Sequence, residues 1–220
     1  EESLAAGATL FPVRDTLWYV PKRPLGGSAK ASQGDAFFNA PNPPFGAVFT
    51  VYLAEGLETR KEVRRKAEKP IEAEGGDTPS PGWEALREEA REEAPAIVLT
   101  VRNAEGDVVR RLESPGKKGF QRIAWDLRYA THQPWSAKPE VNRWRPPQGV
   151  MAAPGTYTVS LAKRIDGALV DLEQEQSFEV VPWRDPAIPG APADETVAFL
   201  KRLGDLDREV QSAGRTIDET

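Results

Sequence analysis

The chain has 220 residues, of which 39% are hydrophobic and 29% are charged, and its formal net charge is −5. This length is enough for one medium-sized domain with appended segments, and no apolar run is long enough to cross a bilayer. The negative charge argues against nucleic acid as a partner. The absence of cysteine excludes disulfides, thiol catalysis and cysteine-ligated metals. Twenty prolines and eighteen glycines, clustered between periodic segments, favour β over α structure.

The first segment, residues 1–45, is predicted to be an extended N-terminal strap. It holds two short apolar patches, residues 10–13 and 17–20, and then a stretch rich in Gly, Ser and Ala. Pro12 and Pro21 argue against a central strand, because proline cannot donate a hydrogen bond to a sheet ladder.

The first clear strand follows Gly46, where Ala47, Phe49, Val51 and Leu53 alternate with other residues on one face. Residues 57–93 then contain two segments dense in helix formers, the first rich in basic and the second in acidic residues. Opposite charge balances predict an inserted helical hairpin whose helices lie against each other. Two solvated helices without mutual contact are the alternative.

Further short alternating segments, separated by turn residues, continue to residue 183. Seven short strands with turns between them are more typical of a sandwich than of a barrel. We therefore predict a mainly β fold over residues 46–183, an immunoglobulin/fibronectin-III-like antiparallel β-sandwich with the helical hairpin as an insertion.

The most pronounced strand motif is residues 119–129, GFQRIAWDLRY. Ile123, Trp125 and Leu127 are predicted to form a packing face, and Asp126 with Arg128 the polar end of the same strand. In the answering segment, the turn Pro154-Gly155 precedes Tyr157. A tyrosine at this place suggests the tyrosine corner of immunoglobulin-like sandwiches, in which the hydroxyl group binds the backbone upstream.

Catalytic chemistry has no clear signature in the sequence. His132 is the only histidine, Asp126 has no recognisable carboxylate partner, and no glycine-rich phosphate loop precedes a helix. Residues 103–107 faintly resemble a calcium loop but fit a hairpin turn better. We predict no catalytic residue, no metal and no cofactor.

A long loop after Tyr129 is the first candidate binding site. It contains Trp135, Arg143, Trp144 and Arg145, and aromatic and Arg side chains dominate binding hot spots and stack on sugars. The alternative is that these side chains cover an open sheet edge or face a neighbouring domain. Either way, the loop is predicted to form an interface.

The last segment, residues 184–220, is predicted to be a proline-rich linker followed by an amphipathic helix from Asp194. Its apolar residues recur at alternating steps of four and three, which defines an apolar seam: Phe199, Leu203, Leu206, Val210, Ala213 and Ile217. Such a heptad pattern could support a coiled coil or a homo-oligomer, although Gly204 and Gly214 weaken the helix by about 1 kcal/mol each. The alternative is one amphipathic helix that packs back on its own domain.

The motifs LFPVRD, APNPPFGAVFTVYL, GFQRIAWDLRY and APGTYTVSLAKRIDG together resemble a known family. They are similar to the C-terminal region of large exported bacterial proteins whose N-terminal part is a sortilin-like or neuraminidase-repeat β-propeller, often labelled glycosyl hydrolase. The WDLR and PGTYTV strands also resemble the immunoglobulin-like module of flagellar hook-capping and secretion-sorting domains, where Trp-Asp is usually followed by Gly. Because Leu127 stands at that place here, the sorting role is not carried over.

This resemblance implies an accessory β-sandwich that follows a propeller of the same polypeptide, in an extracellular, periplasmic or cell-surface location. The ends of the sequence also look like those of a fragment. The leading hypothesis is a non-catalytic module for interdomain packing, protein association or surface assembly. The alternative is a carbohydrate-binding module that uses Trp135 and Trp144, and a part of a glycoside hydrolase is the third hypothesis.

Overall fold

A computed structural model describes residues 7–21, 40, 42–136, 147–184, 188 and 190–218. Within these residues the chain forms eight strands, β1 to β8 in chain order: Ala8–Leu10, Thr16–Trp18, Ala47–Leu53, Ala96–Arg102, Val108–Pro115, Gly119–Trp125, Gly155–Ile165 and Ala168–Pro182. It also forms three helices, α1 to α3: Arg60–Ala73, Gly82–Arg91 and Ala193–Asp218. The prediction of a mainly β chain with a C-terminal helix is confirmed.

The strands form two sheets that face each other in a sandwich-like arrangement. One sheet has the order β1-β3-β6, and the other has the order β2-β8-β7-β4-β5. All neighbouring pairs are antiparallel except β2 and β8, which run parallel. Ring contacts join the sheets: the centroids of Phe49 and Phe178 are 5.6 Å apart, and those of Trp125 and Tyr157 are 5.2 Å apart.

The alternation of apolar residues explains how the sheets close on each other. The four residues of β3 that were predicted to share a face are all buried, and the residues between them are only partly buried. Burying one large apolar side chain contributes about 1.5–3 kcal/mol, so a face of this kind holds the strand in register. Gly46 permits the close approach at the start of β3, because a Cβ there would lie 1.8 Å from the carbonyl oxygen of Trp125.

The segment predicted as an N-terminal strap contributes one short edge strand to each sheet. β1 pairs with β3, and β2 pairs with the end of β8. Leu10 is buried in the core, and the indole N–H of Trp18 donates to the carbonyl oxygen of Ala152 at 2.8 Å. Pro12 lies between the two strands, where its missing N–H interrupts no ladder.

The GFQRIAWDLRY motif turns its predicted apolar face toward the core. Trp125 and Leu127 are fully buried, and Ile123 packs against the core. The strand, however, ends at Trp125, and Leu127 reaches the core from a left-handed backbone conformation with φ of +56°. The Asp126 carboxylate accepts a hydrogen bond from the N–H of Arg128 at 3.2 Å, which stabilises this turn.

Tyr157 makes the hydrogen bond that its position predicted. Its hydroxyl group donates to the carbonyl oxygen of Ala153, four residues upstream, at 2.6 Å. Burial of the ring raises the pKa of Tyr157 well above its ordinary value, with smaller contributions from Tyr129 and Glu105. The tyrosine thereby fixes the point at which the chain enters β7.

The two inserted helices contact each other through charged groups. α1 begins with a capping box, in which the Thr59 hydroxyl group accepts the N–H of Glu62 and the Glu62 carboxylate accepts the N–H of Thr59. No residue of either helix is buried. The Arg64 guanidinium joins the helices through Glu89 of α2, with Nε 2.6 Å from Glu89 Oε1. Within α1, its Nη1 also lies 2.8 Å from Glu68 Oε1. Of the two predicted alternatives, the hairpin with mutual contact is therefore confirmed.

These contacts shift the pKa values of the side chains that join the two helices. Hydrogen bonds to Glu89 and Glu68 raise the pKa of Arg64, and the hydrogen bond from Arg64 lowers the pKa of the Glu89 carboxyl group. At its base, the hairpin is attached to the sheets: Arg60 binds Asp166 at 2.7 Å, and the N–H of Leu57 donates to the carbonyl oxygen of Gly116 at 2.7 Å.

Candidate functional site on the C-terminal helix

α3 lies against the loop that follows Tyr129 at Gly204. This glycine is the buried residue on a helix whose described residues are otherwise partly or fully exposed. A Cβ at this position would lie 3.2 Å from Cβ of His132, which is tighter than ordinary van der Waals contact. The absence of a side chain therefore lets the helix lie directly against the loop.

Polar contacts continue this docking face along the helix. His132 Nε2 lies 2.9 Å from Asp207 Oδ2, and Lys201 Nζ lies 4.7 Å from the centroid of the Tyr129 ring. One turn before its end, the helix places Arg215 Nη1 3.3 Å from the carbonyl oxygen of Trp135. Contacts of this kind are individually weak at a solvated surface, so the helix is held by several of them together.

The apolar seam lies on the opposite side of α3. Its five large side chains, Phe199, Leu203, Leu206, Val210 and Ile217, are between 50% and 76% exposed, and Ala213 is also exposed. The residues named above in the docking face are instead polar or small, and the half-buried Val197, on the same side as Gly204, lines a cavity beside Tyr157. The helix does contact its own domain, as one alternative expected, but it does so through its polar face and leaves its apolar face in solvent.

The aromatic loop and the helix, predicted as separate sites, are neighbours. Trp135 is 87% exposed, so its ring covers no sheet edge, while its backbone carbonyl group contacts Arg215. Arg143, Trp144 and Arg145, the other predicted residues of this loop, lie outside the described residues. Trp135 is therefore the one member of that set whose position the structure describes.

A second aromatic group was missed by the sequence reasoning. The Tyr19 ring makes edge contacts with Phe45 and Trp183, with centroids 4.9 Å and 5.5 Å apart. Beside Tyr19 and Phe45 lies an open cavity of about 660 Å³, lined also by polar side chains that include Arg14 and Asn42. Three aromatic residues spread over the sequence carry no local signal, because only the sheet pairing brings them together.

Comparison with family models finds no match to this chain, and comparison with curated proteins finds none either. Within the described ranges, no group of three or more histidine or carboxylate side chains could hold a metal ion. In the same part of the chain, no helix combines the length and the apolar character that crossing a membrane requires.

Proposed function

We propose that the chain is a non-catalytic accessory module that associates with another protein surface through the apolar seam of α3. One observation carries this proposal: the helix is held to its own domain by its polar face, and the seam is left exposed. An amphipathic helix on a globular domain ordinarily buries its apolar stripe against that domain. The reversed orientation is the one expected of a helix whose apolar face receives a partner.

The size of the seam indicates what such a partner must offer. Complete burial of a large apolar side chain contributes about 1.5–3 kcal/mol, so five side chains that are already partly covered would contribute roughly 5–9 kcal/mol. Association itself costs about 4–15 kcal/mol in lost freedom of motion. A polar partner surface would therefore not suffice, and the partner needs an apolar face of comparable size.

We further propose that the two sheets form an immunoglobulin/fibronectin-III-like sandwich. If β2 is set aside and the other strands are lettered A to G in chain order, one sheet is A-B-E and the other contains G-F-C, with D at its edge. Immunoglobulin-type sandwiches keep A, B and E in one sheet and C, F and G in the other, and the constant type adds D to the A-B-E sheet, so the position of D beside C departs from that type. The hydrogen bond from Tyr157 at the start of strand F also supports this assignment.

The resemblance of the motifs to exported bacterial proteins supports a place for this module in a larger polypeptide. There it would follow a β-propeller, which would be one partner, at an extracellular, periplasmic or cell-surface location. Interdomain packing and surface assembly are the roles consistent with an exposed seam. A part of a glycoside hydrolase is the least supported assignment, and hydrolysis of a glycoside by this chain would be needed to adopt it.

Binding to an apolar helix tests the association directly. The probe is a fluorescent amphipathic peptide with leucine at every a and d heptad position, and the readout is its anisotropy during titration with the chain. We expect binding that is lost in Leu206→Gln and kept in Leu17→Gln. Leu17 is a matched control because it is 49% exposed, close to the 57% of Leu206, and lies on β2. Equal behaviour of the two variants would refute the proposal.

Carbohydrate binding is the second candidate function, and the cavity beside Tyr19 favours it. Exposed aromatic rings next to polar side chains are the arrangement that stacks on and hydrogen-bonds to sugars. Trp135 offers a second exposed ring. Glycan-array binding that is lost in Tyr19→Ala or in Trp135→Ala would support this function and tell the two positions apart. An array without binding, or binding unchanged in both variants, would remove it.

A further inference from the structure

We infer that the partner of the seam is a second copy of this chain, and that the two α3 helices form a parallel, in-register coiled coil. This inference rests on the proposed association through the seam and adds the identity and orientation of the partner. In heptad notation, Leu203, Val210 and Ile217 occupy a positions. The d positions are Phe199, Leu206 and Ala213.

The seam residues themselves favour the parallel arrangement. In a parallel pair in register, each layer brings a residue against its own copy, so all six layers are apolar. β-branched residues at a with leucine at d favour two-stranded parallel coiled coils, and Val210, Ile217 and Leu206 follow this rule. An antiparallel pair in which Leu203 faces Leu206 would place Ile217 opposite Pro192. Because Pro192 precedes the helix, Ile217 would have no seam residue opposite it.

The charges beside the seam point to the same orientation. In the parallel pair, Arg202 at a g position faces Asp207 at the following e position of the second copy, and symmetry repeats this attractive pair. A different antiparallel register would use all six seam residues. In that register Glu209 of one chain faces Glu209 of the other, and Asp207 faces Asp207. The repulsion between these like charges disfavours this register.

The docking of α3 on its own domain leaves room for this pair. Gly204 and, seven residues further on, the partly buried Gln211 occupy b positions, and Lys201 and Arg215 occupy f positions. The b and f positions lie on the outer side of a coiled coil, away from the a and d seam. Asp207, which contacts His132, occupies an e position at the border between the docked side and the seam. Each sandwich-like domain would therefore sit on the outside of a two-fold symmetric dimer, in which the same surface is used by both copies.

Because the chain has no cysteine, single-cysteine variants can report the register. Ala213→Cys at a d position is compared with Ser212→Cys at a c position, in the full chain under a glutathione redox buffer. We expect a disulfide-linked dimer at least 10-fold more abundant for Ala213→Cys than for Ser212→Cys. A mixture of Thr196→Cys and Ala213→Cys should give 213–213 links in preference to 196–213 links.

Sedimentation equilibrium of the same proteins in reduced form separates the possible failures. A dimer mass without 213–213 links, or with 196–213 links preferred, would overturn the parallel register. A monomer mass over the whole concentration range would overturn the second copy as partner. The proposed association would still stand in that case if the heptad peptide binds through Leu206. It would fall if the peptide does not bind, or if Leu206→Gln and Leu17→Gln bind it equally.

Discussion

Replacing Tyr157 with phenylalanine removes one hydroxyl group and leaves the aromatic ring in the core. The lost group donates a 2.6 Å hydrogen bond to the carbonyl oxygen of Ala153, and Tyr157 is only 4% exposed. A net hydrogen bond contributes about 0.5–1.5 kcal/mol, and an acceptor left without its donor adds to the loss. We expect the variant to be less stable by about 1–2 kcal/mol, which lowers Tm by roughly 2–8 °C for a chain of this size.

The same substitution should change the alkaline limb of the stability curve. Burial raises the pKa of Tyr157 above that of an unfolded tyrosine, so only the unfolded state ionises just above pH 10. The stability contributed by the protonated hydroxyl group is fully present below that pH and is lost as pH rises, by up to about 1.4 kcal/mol per pH unit. The difference in the free energy of unfolding between Tyr157→Phe and the natural chain should therefore become smaller between pH 9 and pH 11.

Urea denaturation followed by tryptophan fluorescence at several pH values measures both effects. Tyr52→Phe is the matched control, since Tyr52 lies on β3 and contacts Phe120 by its ring. We expect this control to change the free energy of unfolding by less than about 0.5 kcal/mol. If Tyr157→Phe is as stable as Tyr52→Phe at pH 7, the hydrogen bond does not anchor β7 and the reasoning is refuted.

Three further predictions concern the helices. Gly214→Ala should stabilise α3 by about 1 kcal/mol, because no atom lies within 4 Å of the new Cβ. Gly204→Ala should give less stabilisation or destabilise the helix, because its Cβ would press against His132. Circular dichroism during thermal unfolding distinguishes the two variants. Arg64→Gln should speed hydrogen exchange in α1 and α2 without changing it in β7, and equal exchange in Lys66→Gln would contradict a special role for Arg64. Because the pKa of Glu89 is lowered, its contact with Arg64 should stabilise the hairpin above about pH 4.5 and be lost as the pH falls further. Protection of α1 and α2 from hydrogen exchange that persists to pH 2 would count against this.

Much of the β structure could be predicted from periodicity, because burial of one sheet face leaves a period of two in the sequence. Phe49 and Val51 on β3, and Trp125 on β6, are examples in which alternation alone identified the buried side. Leu127 was assigned to the core for the wrong local reason. Its alternation continues past the strand end, but a positive φ turns the chain there, and a branched residue gives no signal of that conformation.

The candidate site was only half predictable. The heptad steps identified the residues of the seam, but the steps cannot say whether the seam faces its own domain or solvent. That outcome depends on contacts between distant residues, such as His132 with Asp207, and no sequence pattern connects them. Gly204 held the one available hint, since a glycine inside a long helix often marks a close approach.

The orientation of α3 is the claim on which the proposed function depends, and thiol labelling tests it most directly. Val210→Cys places a thiol in the seam, and Gln211→Cys places one on the docked side of the same helical turn. At a concentration low enough to keep the chain monomeric, a thiol reagent should modify Val210→Cys several times faster than Gln211→Cys. Faster modification of Gln211→Cys would show that the seam is packed against the domain, and would contradict the account.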